Sequence, residues 1–562
     1  MPAVRFPIPG VTYHPAERTH ACRASGAWLW STFGDTLRDA AQTDGEREYI
    51  IAEDGVLTFG ALDRRSESVA ASLLQTGLKP GDRAIFQVGT VKELVVALFG
   101  CFKAGIIPVC TLPQYREIEI GQLARLSGAR AYFVQADFSP AFDLPGFARR
   151  MMAEHAGLAH LVVLRGAAGP GEHSLEEMSE RLAFEEARAI TAGADPAPGD
   201  VAMFQLSGGS TGVPKIIPRM HAEYLGSSAS WNARHRLTAD DTALWALPLI
   251  HNAGMILMLM PALLRRGALV IRARFEIRGF LDAIARHRVS YSGSIGPIAP
   301  SIIDFPDVEA HDLSSLRMLF TLARADGLEQ RVNVPSQQMY GITEGMLMAC
   351  EPDAARGARH GTIGSPCGIG DEVRLFRPGT EDEVLPGTTG EFCFRGPHTL
   401  CAYFNAPETT AESFTPGGFF RTGDLLRAAV IEGRTYYVFE GRLKDNINRG
   451  GEKFGAEEVE ALIVSHPAVN DARVVAMPDP MMGERACAFL ILKAGQPCPT
   501  VGSLGVFLHA KGLAKFKLPE RIETIAEFPL TRVGKVDKQA LREMIAMTLR
   551  RESETTTLRD AS

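Results

Sequence analysis

The sequence predicts an α/β protein with a large N-terminal domain of parallel or mixed sheets, an antiparallel subdomain and a small α+β C-terminal domain. Helix and strand signals alternate over residues 57–130, and strand–helix–strand units of this kind build parallel sheets. Short strands between glycine-rich turns over 371–440 indicate the antiparallel subdomain. The pattern changes again after Gly441, so we place the boundary near Asp445, with domains 1–444 and 445–562.

Two segments within residues 57–130, namely 59–77 and 92–105, are predicted to be helices. In both, apolar residues recur at helical spacing and a glycine closes the segment. The short apolar segments 83–88 and 106–112 are typical of buried strands. The same alternation recurs over 269–295, where we expect further parallel strands.

The C-terminal region has its own order of elements. An amphipathic helix over 456–467 precedes two strands over 471–479 and 484–495. A second helix is expected over 500–512, followed by a strand over 519–528. Helices and strands mixed in this way predict a compact α+β unit.

Composition excludes several classes of protein. The chain has 562 residues, 46% of them hydrophobic, and a formal net charge of −7, which does not suit a nucleic-acid partner. The nine cysteines are scattered and form no CxxC motif, which favours free thiols in a reducing compartment. The longest apolar run, 253–264, is too short to span a bilayer, and no signal peptide is visible. We therefore expect a soluble, cytoplasmic protein without a membrane partner.

A glycine-rich loop, "LSGGSTGVPKIIPR" over 206–219, is the first candidate site. Consecutive glycines let backbone N–H groups approach an anion, and hydroxyl groups and a lysine suit a polyphosphate. A flexible polar turn is the alternative. A P-loop is excluded because Val213 and Pro214 separate the glycine from the lysine. The candidate phosphate-binding residues are Ser207, Gly208, Gly209, Ser210, Thr211, Gly212 and Lys215.

Four further motifs follow in order. "QMYGITEG" at 338–345 combines an aromatic ring, a hydroxyl and a carboxylate, and Thr343 and Glu344 suit Mg²⁺. "FRTGDL" places Asp424 in a turn, where a carboxylate can bind a ribose diol. "GRLKDNINRGGEKF" begins at 441, and "PLTRVGKVDK" presents Lys535 after a glycine. Each motif is weak alone, but their combination in this order is specific.

Together these blocks resemble the adenylate-forming superfamily of acyl- and aryl-CoA ligases, luciferases and nonribosomal adenylation domains. The resemblance runs from about Leu57 to Lys538. The N-terminal segment "YHPAERTHACRASGAWLWSTFGDTL" and the "LPLIHN" motif are similar to stand-alone aryl-acid AMP ligases, which activate 2,3-dihydroxybenzoate or salicylate for siderophores.

The resemblance implies a two-step reaction. A carboxylate attacks the α-phosphate of ATP, and a thiol of CoA or of a carrier protein's phosphopantetheine then takes the acyl group. The loop, including Thr211, would hold the β- and γ-phosphates. CoA and a carrier protein both stay open as acceptors, and a carrier would have to be a separate protein because no carrier domain follows Lys538.

The resemblance also implies roles for single residues, with Glu344 binding Mg²⁺. Lys535 would be the mobile lysine that contacts the carboxylate and α-phosphate. Asp445 would be the hinge of a rotating C-terminal domain. The remaining nucleotide contacts would be Tyr340 at the adenine with Gly341 and Thr343 in its loop, and Asp424 and Arg442 at the ribose.

The acyl pocket is implied at "HNAGMILMLMP". His251 and Asn252 match the His-Asn pair of the dihydroxybenzoate enzymes, where the asparagine hydrogen-bonds an ortho substituent. A polar cluster at a strand end is the alternative. Those enzymes have a tyrosine at the position of Ala253 and a serine at that of Leu257. Leucine cannot pair with a 3-hydroxyl, which favours salicylate or 2-aminobenzoate, and Ala253 leaves room for a larger aryl acid.

Other functions stay open. An aryl- or acyl-CoA ligase of a degradation pathway, acting on another aromatic acid, is the main alternative. A nucleotide-binding protein without activity is disfavoured because Lys535, Glu344 and Asp424 are all present. One departure concerns the glycine motif that usually contributes to the adenine site: here 320–326 reads "FTLARAD", so no adenine contact is expected from it.

Overall fold

The computed structural model describes residues 3–207, 214–443, 446–529 and 536–560. The α-helices are α1 Ala16–Ala24, α2 Phe33–Asp44, α3 Phe59–Gln75, α4 Lys92–Lys103, α5 Glu117–Ser127, α6 Leu144–Glu154, α7 Leu175–Glu180, α8 Phe184–Thr191, α9 His221–His235, α10 Asn252–Gly254, α11 Met260–Arg265, α12 Ile277–His287, α13 Ile298–Asp304, α14 Ala325–Val332, α15 Arg356–Gly361, α16 Pro407–Glu412, α17 Ala456–Val464, α18 Val501–Ala510 and α19 Lys538–Asp560.

The strands are β1 Glu48–Ala52, β2 Gly55–Thr58, β3 Arg83–Gln87, β4 Ile107–Val109, β5 Ala131–Gln135, β6 His160–Leu164, β7 His173–Ser174, β8 Val201–Ser207, β9 Lys215–Met220, β10 Thr242–Trp245, β11 Ala268–Ile271, β12 Tyr291–Gly293, β13 Met318–Thr321, β14 Ser336–Ile342, β15 Met346–Ala349, β16 Ser365–Pro366, β17 Glu372–Phe376, β18 Thr389–Arg395, β19 Phe420–Ile431, β20 Arg434–Arg442, β21 Asn446–Arg449, β22 Glu452–Gly455, β23 Val469–Asp479, β24 Gly483–Leu492 and β25 Arg521–Thr524.

Two large sheets form the body of the molecule. One has the order β7-β6-β5-β3-β4-β8-β9 and is parallel except at its β8–β9 edge. The other has the order β16-β15-β14-β13-β12-β10-β11-β1-β2, with a parallel centre and antiparallel edges. The predicted helices over 59–77 and 92–105 correspond to α3 and α4, whose apolar faces are buried in the largest core.

Two smaller sheets follow. Strands β17-β18-β19-β20 form the predicted antiparallel sheet. In the last sheet, β22-β21-β24-β23 are antiparallel and β25 adds to β24 in parallel.

The predicted α/β fold class is confirmed, whereas the boundary at Asp445 stays a prediction because that residue lies outside the described ranges. Within those ranges, no helix has both the length and the apolar character needed to cross a bilayer.

A buried arginine connects helix α9 to two loops of the large domain. Arg219 is 1% exposed, and its Nε lies 3.0 Å from Oε1 of Glu223 one turn along. Its guanidinium donates to the carbonyls of Thr343 and His398, each at 3.1 Å. On the other side, Oε2 of Glu223 lies 2.8 Å from Nε2 of His14. Although burial opposes ionisation, Arg219 and then His14 lower the pKa of Glu223, so the glutamate stays charged.

Replacing Arg219 with methionine should destabilise the protein by about 3–5 kcal/mol, because Glu223 would then be a buried charge without its guanidinium. The pKa of Glu223 is lowered on folding, so the contribution of the pair is present above its ordinary value of 4.5 and is lost as pH falls through the lowered value. Urea denaturation at neutral and acidic pH measures both effects.

Arg236→Met is the matched control, because Arg236 pairs with Asp353 at 2.9 Å and the two side chains are 63% and 62% exposed. That substitution should cost less than about 1 kcal/mol. Equal losses for the two variants would contradict a special role for Arg219.

Candidate functional site

A single cavity of about 1110 Å³ brings most of the predicted site residues together. It lies where the ends of several strands of the two large sheets meet the antiparallel sheet and the β21–β22 hairpin. The predicted residues that line it are Ser207, Lys215, His251, Asn252, Ala253, Leu257, Tyr340, Gly341, Thr343, Glu344 and Asp424. Residues that lie far apart in the sequence, and that were predicted to have different roles, therefore line the same cavity.

The other predicted site residues lie wholly or partly outside the part of the chain that the structure describes. Gly208–Gly212, Asp445 and Lys535 are not among the described residues, and of Arg442 only the backbone is described. That backbone pairs with Asp424 across β19 and β20, which places the two residues opposite each other. Their predicted roles stay predictions.

Tyr340 and Asp424 form a hydrogen-bonded pair at one side of the cavity. Oη of Tyr340 donates to Oδ2 of Asp424 at 2.7 Å. The ring of Tyr340 packs edge-on against Phe392, with centroids 5.4 Å apart. Asp424 lies within β19 and not in the predicted turn; Gly423, at φ +71°, precedes it where the pairing of β18 with β19 shifts register. The carboxylate is 5% exposed and lines the cavity, so its position and rotamer are fixed before a ligand binds.

Glu344 is held by a tyrosine that the sequence analysis did not identify. Oη of Tyr403 donates to Oε1 of Glu344 at 2.8 Å, and Nζ of Lys215 lies 4.6 Å from the centre of the Tyr403 ring. Burial, and then the charge of Glu344, raise the pKa of Tyr403, so the phenol keeps its proton. A carboxylate and an ammonium group thus converge on one aromatic ring at the end of β9.

The loop that carries Glu344 needs a glycine at its next position. Gly345 has φ +123°, and a Cβ built there would lie 1.8 Å from the carbonyl oxygen of His398. The same loop is fixed by Leu400, whose N–H donates to the carbonyl of Glu344 at 2.9 Å. This close approach explains why a glycine follows the carboxylate.

The apolar end of the cavity is formed at α10 and the helical turn after it. Nδ1 of His251 accepts the N–H of Ala253 at 3.3 Å and so caps the start of α10. Leu257 belongs to a π-helical turn, Met255–Leu259, and is 1% exposed. π-Turns are frequent at functional sites. Leu257 therefore presents an apolar wall without a hydrogen-bonding group.

Segment 320–326 contributes to the cavity through Leu322 alone among its members. Its Thr321 hydroxyl donates to the carbonyls of Ser294 and Ala323, at 3.1 and 2.9 Å, and so serves the fold.

The C-terminal sheet closes one side of the cavity through the turn of its β21–β22 hairpin. Gly450 and Gly451, at φ +60° and +102°, form this turn and line the cavity. A Cβ on Gly296 would lie 2.6 Å from the carbonyl oxygen of Gly450, so the two backbones are in close contact. Burial raises the pKa of Glu452, beside the turn, to about 7.

A buried ion cluster connects α17 and the helical turn Lys515–Lys517 to helix α5. Nζ of Lys517 lies 3.0 Å from Glu119 and 2.7 Å from Glu458, and the side chain of Glu119 is fully buried. Next to it the rings of Tyr115 and Phe516 stack with centroids 6.2 Å apart. No local pattern in the sequence indicates this cluster, because it joins elements nearly 400 residues apart.

Two family models match the chain. A model described as AMP-binding enzyme matches residues 37–404, and one described as AMP-binding enzyme C-terminal domain matches residues 458–535.

Characterised relatives match nearly the whole length. The chain is 35% identical to a 2,3-dihydroxybenzoate-AMP ligase of Bacillus subtilis, covering 96% of this chain and 99% of that protein. It is 34% identical to a salicyl-AMP ligase / salicyl-S-ArCP synthetase of Mycobacterium tuberculosis, covering 95% and 94%. The apo structure of MbtA from Mycobacterium smegmatis superposes with a TM-score of 0.71 at 32% identity, covering 95% of this chain and 98% of that chain.

Gly345→Ala should lower stability by about 1–3 kcal/mol or more, because the added Cβ both clashes with His398 and disfavours a positive φ. Thermal unfolding measures the loss. Gly357→Ala is the control: Gly357 lies within α15 and a Cβ there meets nothing within 4 Å, so its Tm should stay equal or rise. A fall of the same size in both variants would show that the His398 contact is not the cause.

Proposed function

The chain belongs to the AMP-binding enzyme family, and from this premise we propose that it activates a salicylate-like aryl acid with ATP and transfers the aroyl group to a thiol. The observation that carries the proposal is the continuity of the cavity. An apolar end at Asn252 and Leu257 opens directly into a polar end at Asp424, Glu344 and Lys215. A ring and a nucleotide can therefore bind side by side.

In the first step an oxygen of the aryl carboxylate forms a bond to the α-phosphorus, and the bond to the pyrophosphate leaving group breaks. In the second, a thiolate attacks the carbonyl of the aroyl-adenylate and AMP leaves. Neither step needs a protein nucleophile, so positioning and charge stabilisation carry the rate. The Tyr340–Asp424 pair suits a ribose diol, since a carboxylate accepts two charge-assisted hydrogen bonds.

The triphosphate end fits a divalent cation as well as the nucleotide. Glu344 offers one carboxylate whose Oε1 is already engaged by Tyr403, and Lys215 lies beside the same ring. Among the described residues no group of three or more metal-ligating side chains occurs. One carboxylate together with substrate phosphates is a usual environment for Mg²⁺, which would neutralise phosphate charge when bound. Lys215 and the 207–212 loop would bind the β- and γ-phosphates.

The orientation of the C-terminal sheet suits the second step. The Gly450–Gly451 turn lines the cavity, so a thiol arm entering beside it would reach the acyl end. The adenylation step then needs another orientation, which brings Lys535 in by rotation at Asp445. A carrier protein's phosphopantetheine is the proposed acceptor, in line with the name of the Mycobacterium tuberculosis relative, a salicyl-S-ArCP synthetase. All nine cysteines are free thiols, which fits a cytoplasmic location.

Carboxylate-dependent ATP–pyrophosphate exchange tests the proposed function, with salicylate, benzoate, 2,3-dihydroxybenzoate and a fatty acid as substrates. Exchange driven by ortho-hydroxybenzoates is expected. Exchange with the fatty acid alone, or with none of the acids, would contradict the proposal.

Lys535→Ala should lower the exchange rate about 10²–10³-fold, because the lysine would stabilise charge developing at the carboxylate and α-phosphate. Thiol transfer from pre-made aroyl-adenylate should fall far less, since that step uses the other domain orientation. Lys538→Ala, three residues along, is the control and should keep near-normal exchange. Retained exchange in Lys535→Ala would remove that residue from the site.

Asp424→Ala should raise the KM for ATP about tenfold or more, because hydrogen bonds to a charged group are worth about 1.5–3 kcal/mol. The KM for the aryl acid should change little. Asp424→Asn keeps the shape without the charge and should fall between wild type and Asp424→Ala. An unchanged KM for ATP would place Asp424 outside the nucleotide site.

Leu257→Ser should raise the kcat/KM for 2,3-dihydroxybenzoate relative to salicylate roughly tenfold, because serine supplies both a hydrogen bond and room for the 3-hydroxyl. Met258→Ser is the control for lost packing, since Met258 is fully buried in the same turn but does not line the cavity. If neither variant changes the preference between 2,3-dihydroxybenzoate and salicylate, the 3-position of the ring does not lie beside Leu257.

A further inference from the structure

A buried tyrosine contacts the asparagine at the apolar end of the cavity. Oη of Tyr224 lies 2.9 Å from Oδ1 of Asn252, and both residues are buried. Tyr224 projects from α9, the helix that Arg219 and Glu223 hold in place. Asn252 lines the cavity, whereas Tyr224 does not. The phenol of Tyr224 therefore contacts Asn252 from the side that faces away from the cavity.

The direction of this hydrogen bond follows from the available groups. Burial raises the pKa of Tyr224 well above its ordinary value, so the phenol keeps its proton and can donate. The backbone carbonyl of Asn252 is farther, at 3.3 Å, and already accepts the N–H of Met255. Oδ1 is therefore the better acceptor. With its oxygen engaged, the amide has only its Nδ2 hydrogens left to offer the cavity.

We propose that Tyr224 is a positioning residue that fixes the Asn252 amide with its N–H toward the ligand, so that the site selects an ortho hydrogen-bond acceptor over an ortho donor. This inference rests on the proposed function and deepens it by naming the ortho substituent as a hydroxyl.

The two ortho groups differ in what they present outward. In salicylate the 2-hydroxyl hydrogen points to the neighbouring carboxylate, which leaves an oxygen lone pair facing away from it. In 2-aminobenzoate one N–H is held by the carboxylate, the second points outward, and the nitrogen lone pair is delocalised into the ring. A fixed N–H of the Asn252 amide can therefore donate to the ortho oxygen of salicylate. In 2-aminobenzoate it meets an outward N–H, which is another donor. A site that leaves a polar group unpaired rejects the wrong analogue strongly.

ATP–pyrophosphate exchange with salicylate, 2-aminobenzoate and benzoate tests the inference, with each kcat/KM divided by that for benzoate. The wild type should favour salicylate over 2-aminobenzoate by more than about tenfold. Tyr224→Phe removes the phenolic donor, so the amide can rotate and the ratio should fall to within about threefold. Tyr291→Phe is the control, because Tyr291 is fully buried but does not line the cavity, and it should keep the wild-type ratio.

Asn252→Asp tests the same point in the opposite direction and does not depend on the folding of Tyr224→Phe. A carboxylate accepts from Tyr224 with one oxygen and offers the cavity an acceptor with the other, so the preference should invert to 2-aminobenzoate. A wild type that prefers 2-aminobenzoate, or a ratio unmoved in both variants, would overturn the inference while leaving the proposed function in place. Exchange with none of the three acids would overturn the proposed function and the inference with it.

Discussion

The arrangement of the cavity depends on the burial of one guanidinium group. Arg219 donates to the carbonyl of Thr343, next to Glu344, and pairs with Glu223 on α9, next to Tyr224. The polar end and the apolar end of the cavity are therefore attached to the same side chain. A buried cation is stable only when its partners satisfy it, so neither end can shift without leaving a charge or a carbonyl unpaired.

The same design recurs within the cavity, where neutral phenols hold the polar groups. Tyr340 orients Asp424, Tyr403 orients Glu344 and Tyr224 contacts Asn252. Each phenol is buried and donates a hydrogen bond to its partner, so it orients that group without adding a charge. Preorganised groups of this kind lose little on binding, which is how a site stabilises charge that develops during reaction.

Local signals in the sequence predicted much of this structure. The alternation of helical and strand segments predicted α3, α4 and the strands beside them, because their buried apolar residues recur at regular spacing in the sequence. Motifs predicted Asp424 and Glu344, and the family resemblance implied Asn252 and Leu257; the fold brings all four to one cavity. Tyr224, Tyr403 and the Lys517 cluster gave no such signal. Their partners lie 28 to almost 400 residues away, and an isolated tyrosine or lysine in a sequence is compatible with any surface or core position.

In the proposed function, one cavity holds an aryl ring at Asn252 and a nucleotide at Asp424, with the carboxylate next to the α-phosphate. A crystal structure with a stable sulfamoyl analogue of salicyl-adenylate tests this most directly. We expect the ribose hydroxyls within hydrogen-bond distance of Asp424, and the ring between Leu257 and the Asn252 amide with its ortho oxygen facing Nδ2. An analogue bound elsewhere, or bound in the cavity with its ring at Asp424 and its ribose at Asn252, would rule out this arrangement.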